Sequence, residues 1–185
     1  MEEARRALIR RLRLAYAGEL AAATAYEGHW RSVRDEATRA EIRKILAEEL
    51  AHRQRVGEIL QVLGARPRRL RDAWMRMVGL TIAASCFVGG RYIPMYGAGK
   101  IERKNIREYE DAARLSHAAG LPYHDEFLHM AEVEWDHEKY FHDIVRSHRL
   151  HKWSRSWRDP PPRQEIRLTF ARDTRTNDGA TAKDN

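Results

Sequence analysis

Two Glu-x-x-His pairs stand out as residues whose types and spacing could do chemistry: Glu49 with His52, and Glu134 with His137. A separation of three places carboxylate and imidazole on one helix face, a turn apart. Each pair interrupts an apolar stripe. The first stripe reads Ile42, Ile45, Glu49, His52, Val56, Ile59, Leu63, and the second Phe127, Met130, Glu134, His137, Phe141, Ile144, His148. Both advance in alternating steps of three and four, the signature of a core-facing stripe. A carboxylate aimed into a core is costly unless a positive partner meets it. Carboxylates with some imidazole suit iron or manganese, whereas structural zinc favours closed tetrahedral N/S sites.

A dinuclear centre in a helical bundle needs one further carboxylate from each of two other helices. Glu19 lies on the stripe between Tyr16 and Ala23, and Glu102 on the stripe of Met95, Ala98, Ile106 and Tyr109. In an antiparallel hairpin, facing residues are equidistant from the turn. The midpoint of Glu19 and Glu49 is position 34 and that of Glu19 and His52 is 35.5, both at the helical break near Asp35. Glu102 with Glu134 and His137 gives 118 and 119.5, beside Gly120. Glu108 is the rival, with midpoints of 121 and 122.5, but stripe position and the similar spacings of 30 and 32 favour Glu102. A third pair, Glu126 and His129, sits on a less apolar stripe with Pro122, Val133, Asp136 and Tyr140. Two divalent cations balance four carboxylates, and two neutral imidazoles complete the shell. The metal-free alternatives are protonated carboxyls or salt bridges to arginine.

The elements that must position these residues are helices. Apolar residues recur at helical spacing, and Gly and Pro are scarce over long stretches. A first helix is expected over about Glu3–Val33, with Leu8, Leu12, Ala15, Tyr16, Ala23, Tyr26 and Trp30 on its stripe. Asp35 and Thr38 offer caps for a second helix that stops at Gly64 and Pro67. Residues 70–119 read as helical with a kink or break over Gly89, Gly90, Pro94, Gly97 and Gly99, and Pro122 opens a last core helix to about His148. The fold class is therefore all-α: a ferritin-like four-helix bundle with a long crossover that contains an extra apolar helical segment. Residues 1–150 form the bundle. Residues 151–185, a tail that contains the prolines Pro160–Pro162, are expected to be mostly disordered, with Glu165–Phe170 alternating enough to dock as an extended segment.

Composition narrows the function classes. One cysteine, Cys86, excludes an intramolecular disulfide and any four-cysteine zinc or iron–sulfur site. The longest uncharged run, Met77–Gly90, has 14 residues, fewer than the roughly 20 needed to cross a bilayer. The Arg-rich start lacks the apolar core of a signal peptide. The net charge is +7, but arginine is mixed with acids along the chain, and no basic stripe interleaved with exposed aromatics signals nucleic acid.

The sequence resembles the demethoxyubiquinone hydroxylase family of ferritin-like di-iron proteins, over about Leu8–Val145. The resemblance rests on AGELAAATAYEGH around Glu19, EELAH around Glu49 and His52, RPRRLRDAWMRMVG at the start of the crossover, and EVEWDHE around Glu134 and His137. It implies that Glu19, Glu49, His52, Glu102, Glu134 and His137 ligate two iron ions. It also implies that the centre takes O2 as co-substrate and hydroxylates the ring of a long-tailed quinone precursor at a membrane surface. GAGKIERKN, around Glu102, departs from the family pattern in its polarity and glycine content, and the Arg-rich tail lies outside it.

The leading expectation is thus an oxygen-activating di-iron monooxygenase acting on a small hydrophobic, quinone-like substrate, with an external electron donor. The alternatives are a ferroxidase or peroxide-scavenging protein of the ferritin or rubrerythrin kind and, behind it, a di-iron hydroxylase of transfer RNA. A rubrerythrin with its own rubredoxin module is excluded by the lone cysteine. The apolar segment 74–88 would face a membrane interface or pack in the core or against a second copy in a homodimer, and Trp153 and Trp157 would anchor nearby. The expected location is cytoplasmic, at the inner face of the membrane. Tyr26 and Tyr109 lie close enough to the candidate ligands to be hydrogen-bond donors to them, or else pack in the core. His29, His117 and His148 have no assigned role.

Overall fold

The computed structural model describes residues 1–150, 152 and 157–181, with 176–181 described as backbone alone. Six helices follow in order: α1 Glu2–Ser32, α2 Glu36–Val62, α3 Arg69–Val88, α4 Tyr92–Ala118, α5 His124–Ser147 and α6 Glu165–Thr181. There is no strand among the described residues. Four long helices, α1, α2, α4 and α5, make the ferritin-like bundle, and α3 is the apolar element of the crossover.

Local sequence explains the breaks. Asp35 caps α2, its Oδ2 accepting the backbone N–H of Thr38 at 2.8 Å and the Thr38 hydroxyl at 2.6 Å. Gly120 takes a positive φ of 67°, closing α4 so that the chain can reverse into α5. The crossover break is shorter than the glycines and proline suggest: it is confined to Gly89–Arg91, and Pro94, Gly97 and Gly99 all lie inside α4. Pro94 is tolerated because it sits in the first turn, where its missing N–H would have no helical acceptor.

The bundle core has two apolar clusters. One gathers Leu8, Leu12, Val56, Ile59, Tyr109 and Phe127, and the other Tyr26, Ile42, Ile45, Met95, Phe141 and Trp157. α3 packs on α1 through small residues. Ala83 lies against Gly28, and Gly79 lies against Ala21 and Thr24. Its other face carries Trp74, Met77, Leu80 and Phe87, all exposed. The backbones of α2 and α5 scarcely approach one another, which leaves that seam the loosest of the bundle.

Within the described part of the tail, the expected extended segment is corrected. Glu165–Phe170 is the first part of helix α6, not an extended segment. Its alternating Ile166, Leu168 and Phe170 also fit a helix, with Ile166 and Phe170 a turn apart on the face that packs against the core and Leu168 exposed. Arg167 bonds Glu132 at 2.6 Å and Arg114 bonds Asp173 at 2.9 Å, tying α6 to α5 and α4. Trp157 is likewise no surface anchor: it is 5 % exposed. Its ring fills the space left by Gly99, and its Nε1–H donates to Glu138 at 3.0 Å. Trp153 lies outside the described residues.

The α1–α3 contact makes a test with an informative sign. Alanine in place of an exposed helical glycine stabilises by about 1 kcal/mol. At Gly79 the added Cβ would lie 2.6 Å from the Ala21 carbonyl oxygen. Gly79→Ala is therefore expected to destabilise, by roughly 1–3 kcal/mol, read as a lower midpoint in urea unfolding; a raised midpoint would refute the packing.

Candidate metal centre

The four bundle helices carry six ionisable side chains to one height. Glu19 comes from α1, Glu49 and His52 from α2, Glu102 from α4, and Glu134 and His137 from α5. None is more than 7 % exposed, and Glu49, Glu102 and Glu134 are fully buried. They form two overlapping groups, Glu19–Glu49–His52–Glu134 and Glu49–Glu102–Glu134–His137, in each of which one ligand atom per residue lies within 4.8 Å of the others. Glu49 and Glu134 are shared, as bridging groups between two ions would be.

The rivals lie elsewhere. Glu108 pairs with Lys104 at 2.6 Å at the surface of α4. Glu126 is held by Arg55 in a bidentate pair at 2.6 and 2.9 Å, and His129 is exposed.

The site's own hydrogen bonds leave it incomplete. His52 Nδ1 lies 3.0 Å from Glu134 Oε1. His137 Nε2–H donates to Glu48 Oε2 at 2.9 Å, which turns Nδ1 inward to 3.2 Å from Glu49 Oε1 and 3.7 Å from Glu134 Oε2. Glu19 Oε2, both oxygens of Glu49, Glu134 Oε2 and His137 Nδ1 are buried without a hydrogen-bond partner. Such orphans are rare because each forfeits its hydration. Four buried carboxylates, three of them with orphaned oxygens, and two imidazoles form a donor set that fits two divalent cations of the iron or manganese kind. Among the described residues no arginine pairs with these carboxylates, so the salt-bridged alternative has no support there.

Two tyrosines complete the surround. Tyr26 donates its hydroxyl to Glu102, and Tyr109 donates to Glu19. Both residues pack in the core clusters and donate to candidate ligands as well. Each hydroxyl orients its carboxylate, and in Glu19 the other oxygen, Oε2, is left without a partner. Asn105 Nδ2 also reaches Glu102 at 3.0 Å. Glu48 had no signal in the stripe pattern, because it sits beside the stripe rather than on it.

Without cations the charges are costly. Burial first, then the neighbouring carboxylates, raises Glu19 and Glu102 well above the ordinary carboxylate range and pushes Glu49 up to about 7. Burial works against ionised Glu134 too, yet the close imidazole of His137 and the hydrogen bond with His52 hold it below its usual value. Burial would neutralise His137, but Glu134, Glu48 and Glu49 push it far up. Protons thus occupy the positions that divalent ions would take, so binding such ions must release them.

The sequence model of a family described as "Ubiquinone biosynthesis protein COQ7" matches residues 6–117, more than half of the chain. The chain belongs to that family. COQ7 proteins are hydroxylases of ubiquinone biosynthesis, built as ferritin-like di-iron bundles, which makes this chain an oxidoreductase at the coarse level. The match runs from α1 to the end of α4 and includes Glu19, Glu49, His52 and Glu102. Glu134 and His137 fall beyond it, on α5, and join the other four through the fold. No curated protein and no solved structure matches the chain.

The raised Glu49 supplies a test with a definite sign. A carboxyl whose folded pKa is raised stabilises below its unfolded value, near 4.5, and loses that contribution as pH rises through about 7. Glu49→Gln mimics the protonated form. In metal-free protein, the variant should gain stability relative to wild type between pH 5 and pH 8, on the order of 3 kcal/mol. Paired denaturant titrations at the two pH values measure it, and a pH-independent difference would contradict it.

Proposed function

We propose that this chain is an oxygen-activating di-iron monooxygenase that hydroxylates the ring of a quinone precursor at a membrane surface. The observation that carries the reading is the buried cluster of four glutamates and two histidines, with orphaned oxygens facing one another, in a chain of the COQ7 family. Glu19, Glu49, His52, Glu102, Glu134 and His137 would hold the two iron ions. When bound, iron supplies the redox chemistry with O2 that ring hydroxylation requires.

The protein's own residues do the remaining work. Tyr26 and Tyr109 fix the carboxylates of Glu102 and Glu19. Glu48 fixes the tautomer of His137 by taking its Nε2–H. The two apolar clusters exclude water from the interior, which strengthens every electrostatic contact there. Electrons would come from a separate donor.

The exposed face of α3 supports the membrane part of the proposal. Trp74, Met77, Leu80 and Phe87 stand on one side of a helix whose other side is anchored on α1 by Gly79 and Ala83. Such a face suits the boundary of a bilayer. No described helix is long and apolar enough to cross a membrane.

One experiment addresses both parts. Iron-loaded protein, a chemical reductant and a demethoxyquinone in liposomes are exposed to isotopically labelled oxygen, and the quinone is analysed by mass spectrometry. The reading predicts one labelled oxygen atom in the ring. The Trp74→Ser, Phe87→Ser double variant should lose most product with liposomes and keep turnover of a short-tailed quinone in solution. Unlabelled quinone with rapid oxidation of many irons per chain would instead indicate a ferroxidase. A concentration-dependent dimer that dissociates in the double variant would assign the α3 face to a second copy.

A further inference from the structure

A cavity of about 550 Å³ lies between α2 and α5, with Glu48, His52 and Arg55 on one wall and Asp125, Glu126 and His129 on the other. It sits in the seam where the two backbones scarcely approach each other. α3 lies on α1 through Gly28 and Gly79, and Tyr16 fills the space beside Gly57 between α1 and α2. Trp157 closes the space over Gly99 beside Phe141, and α6 lies on α4 and α5.

Two observations connect the cavity with the buried site. His52 lines it although 7 % exposed. Its Nδ1 faces Glu134 Oε1 at 3.0 Å. Glu48, half-buried on the same wall, touches His137 Nε2 at 2.9 Å. The cavity thus reaches one histidine of the cluster directly and the other through Glu48. Three carboxylates line it: Arg55 holds Glu126, Arg167 reaches Asp125 at 3.3 Å, and Glu48 stands at the inner end against His137. A carboxylate at the end of a low-dielectric cleft attracts cations.

We propose that this cavity is the port through which divalent cations reach the carboxylate–imidazole site, with Glu48 at its inner end passing them to His137 and Glu49. The inference rests on the reading of the cluster as a metal site. Glu48 carries the charge that draws the ion inward, and its hydrogen bond to His137 keeps Nδ1 turned to receive it.

Stopped-flow mixing of metal-free protein with cobalt(II) tests the port, since absorbance reports uptake without turnover. Ala51→Phe and Val133→Phe fill the cavity from its two walls and should slow uptake on the order of tenfold or more, with the final cobalt content and spectrum unchanged. Glu48→Gln keeps an acceptor for His137 but removes the charge. It should also slow uptake, with a smaller salt dependence and the wild-type end spectrum. Leu80→Phe adds comparable bulk on the exposed face of α3 and should load at the wild-type rate. Wild-type rates in both cavity-filling variants, or equal slowing by Leu80→Phe, would overturn the port while leaving the metal site standing. A changed end spectrum at an unchanged rate in Glu48→Gln would reduce Glu48 to an orienting group and overturn its part in transfer. Wild-type protein that takes up no cobalt would overturn both the port and the metal site beneath it.

Discussion

Four carboxylates placed within a few ångströms of each other, away from water, are the constraint on which this structure depends. Their mutual repulsion and lost hydration each oppose ionisation. Glu19, Glu49 and Glu102 are pushed toward their protonated forms, and Glu134 is held anionic by the hydrogen bond with His52 and the nearby imidazole of His137. A protein rarely keeps such an arrangement for stability, since apolar residues of similar volume would serve as well or better. The arrangement makes sense when cations displace the protons.

Much of the surrounding architecture follows from that constraint. The four helices must bring their acids to one height, which the short α1–α2 and α4–α5 hairpins achieve. Asp35 and Gly120 set where those hairpins turn. Tyr26 and Tyr109 each restrain a terminal glutamate, and Glu48 restrains a histidine. The crossover leaves α3 with one face committed to α1 and the other bare, so the element that completes the topology also supplies an apolar surface.

The sequence made the bundle and the six acids and imidazoles legible because both obey helical periodicity. Glu49, His52, Glu134 and His137 break apolar stripes, and the midpoints of candidate pairs coincide with capping residues. Glu102 could be separated from Glu108 by stripe position, and the structure puts Glu108 beside Lys104 at the surface. The tyrosine donors were not separable in this way, since a core tyrosine and a hydrogen-bonding tyrosine occupy the same stripe. Glu48 was invisible because it reaches the site from the side of its helix. The tail misled for another reason: Ile166, Leu168 and Phe170 satisfy both a two-residue and a helical period, and only contacts with α4 and α5 decide between them. Trp157 is buried by a glycine 58 positions away, a relation that no local pattern carries.

The central claim is that the cluster exists to hold a pair of metal ions. Anaerobic titration of metal-free protein with ferrous iron, followed by magnetic circular dichroism in the near infrared, tests it most directly. The account predicts an end point at two irons per chain with the signature of magnetically coupled ions, absent from a Glu134→Ala protein. An end point at zero or one iron, or two uncoupled ions that persist without Glu134, would contradict it.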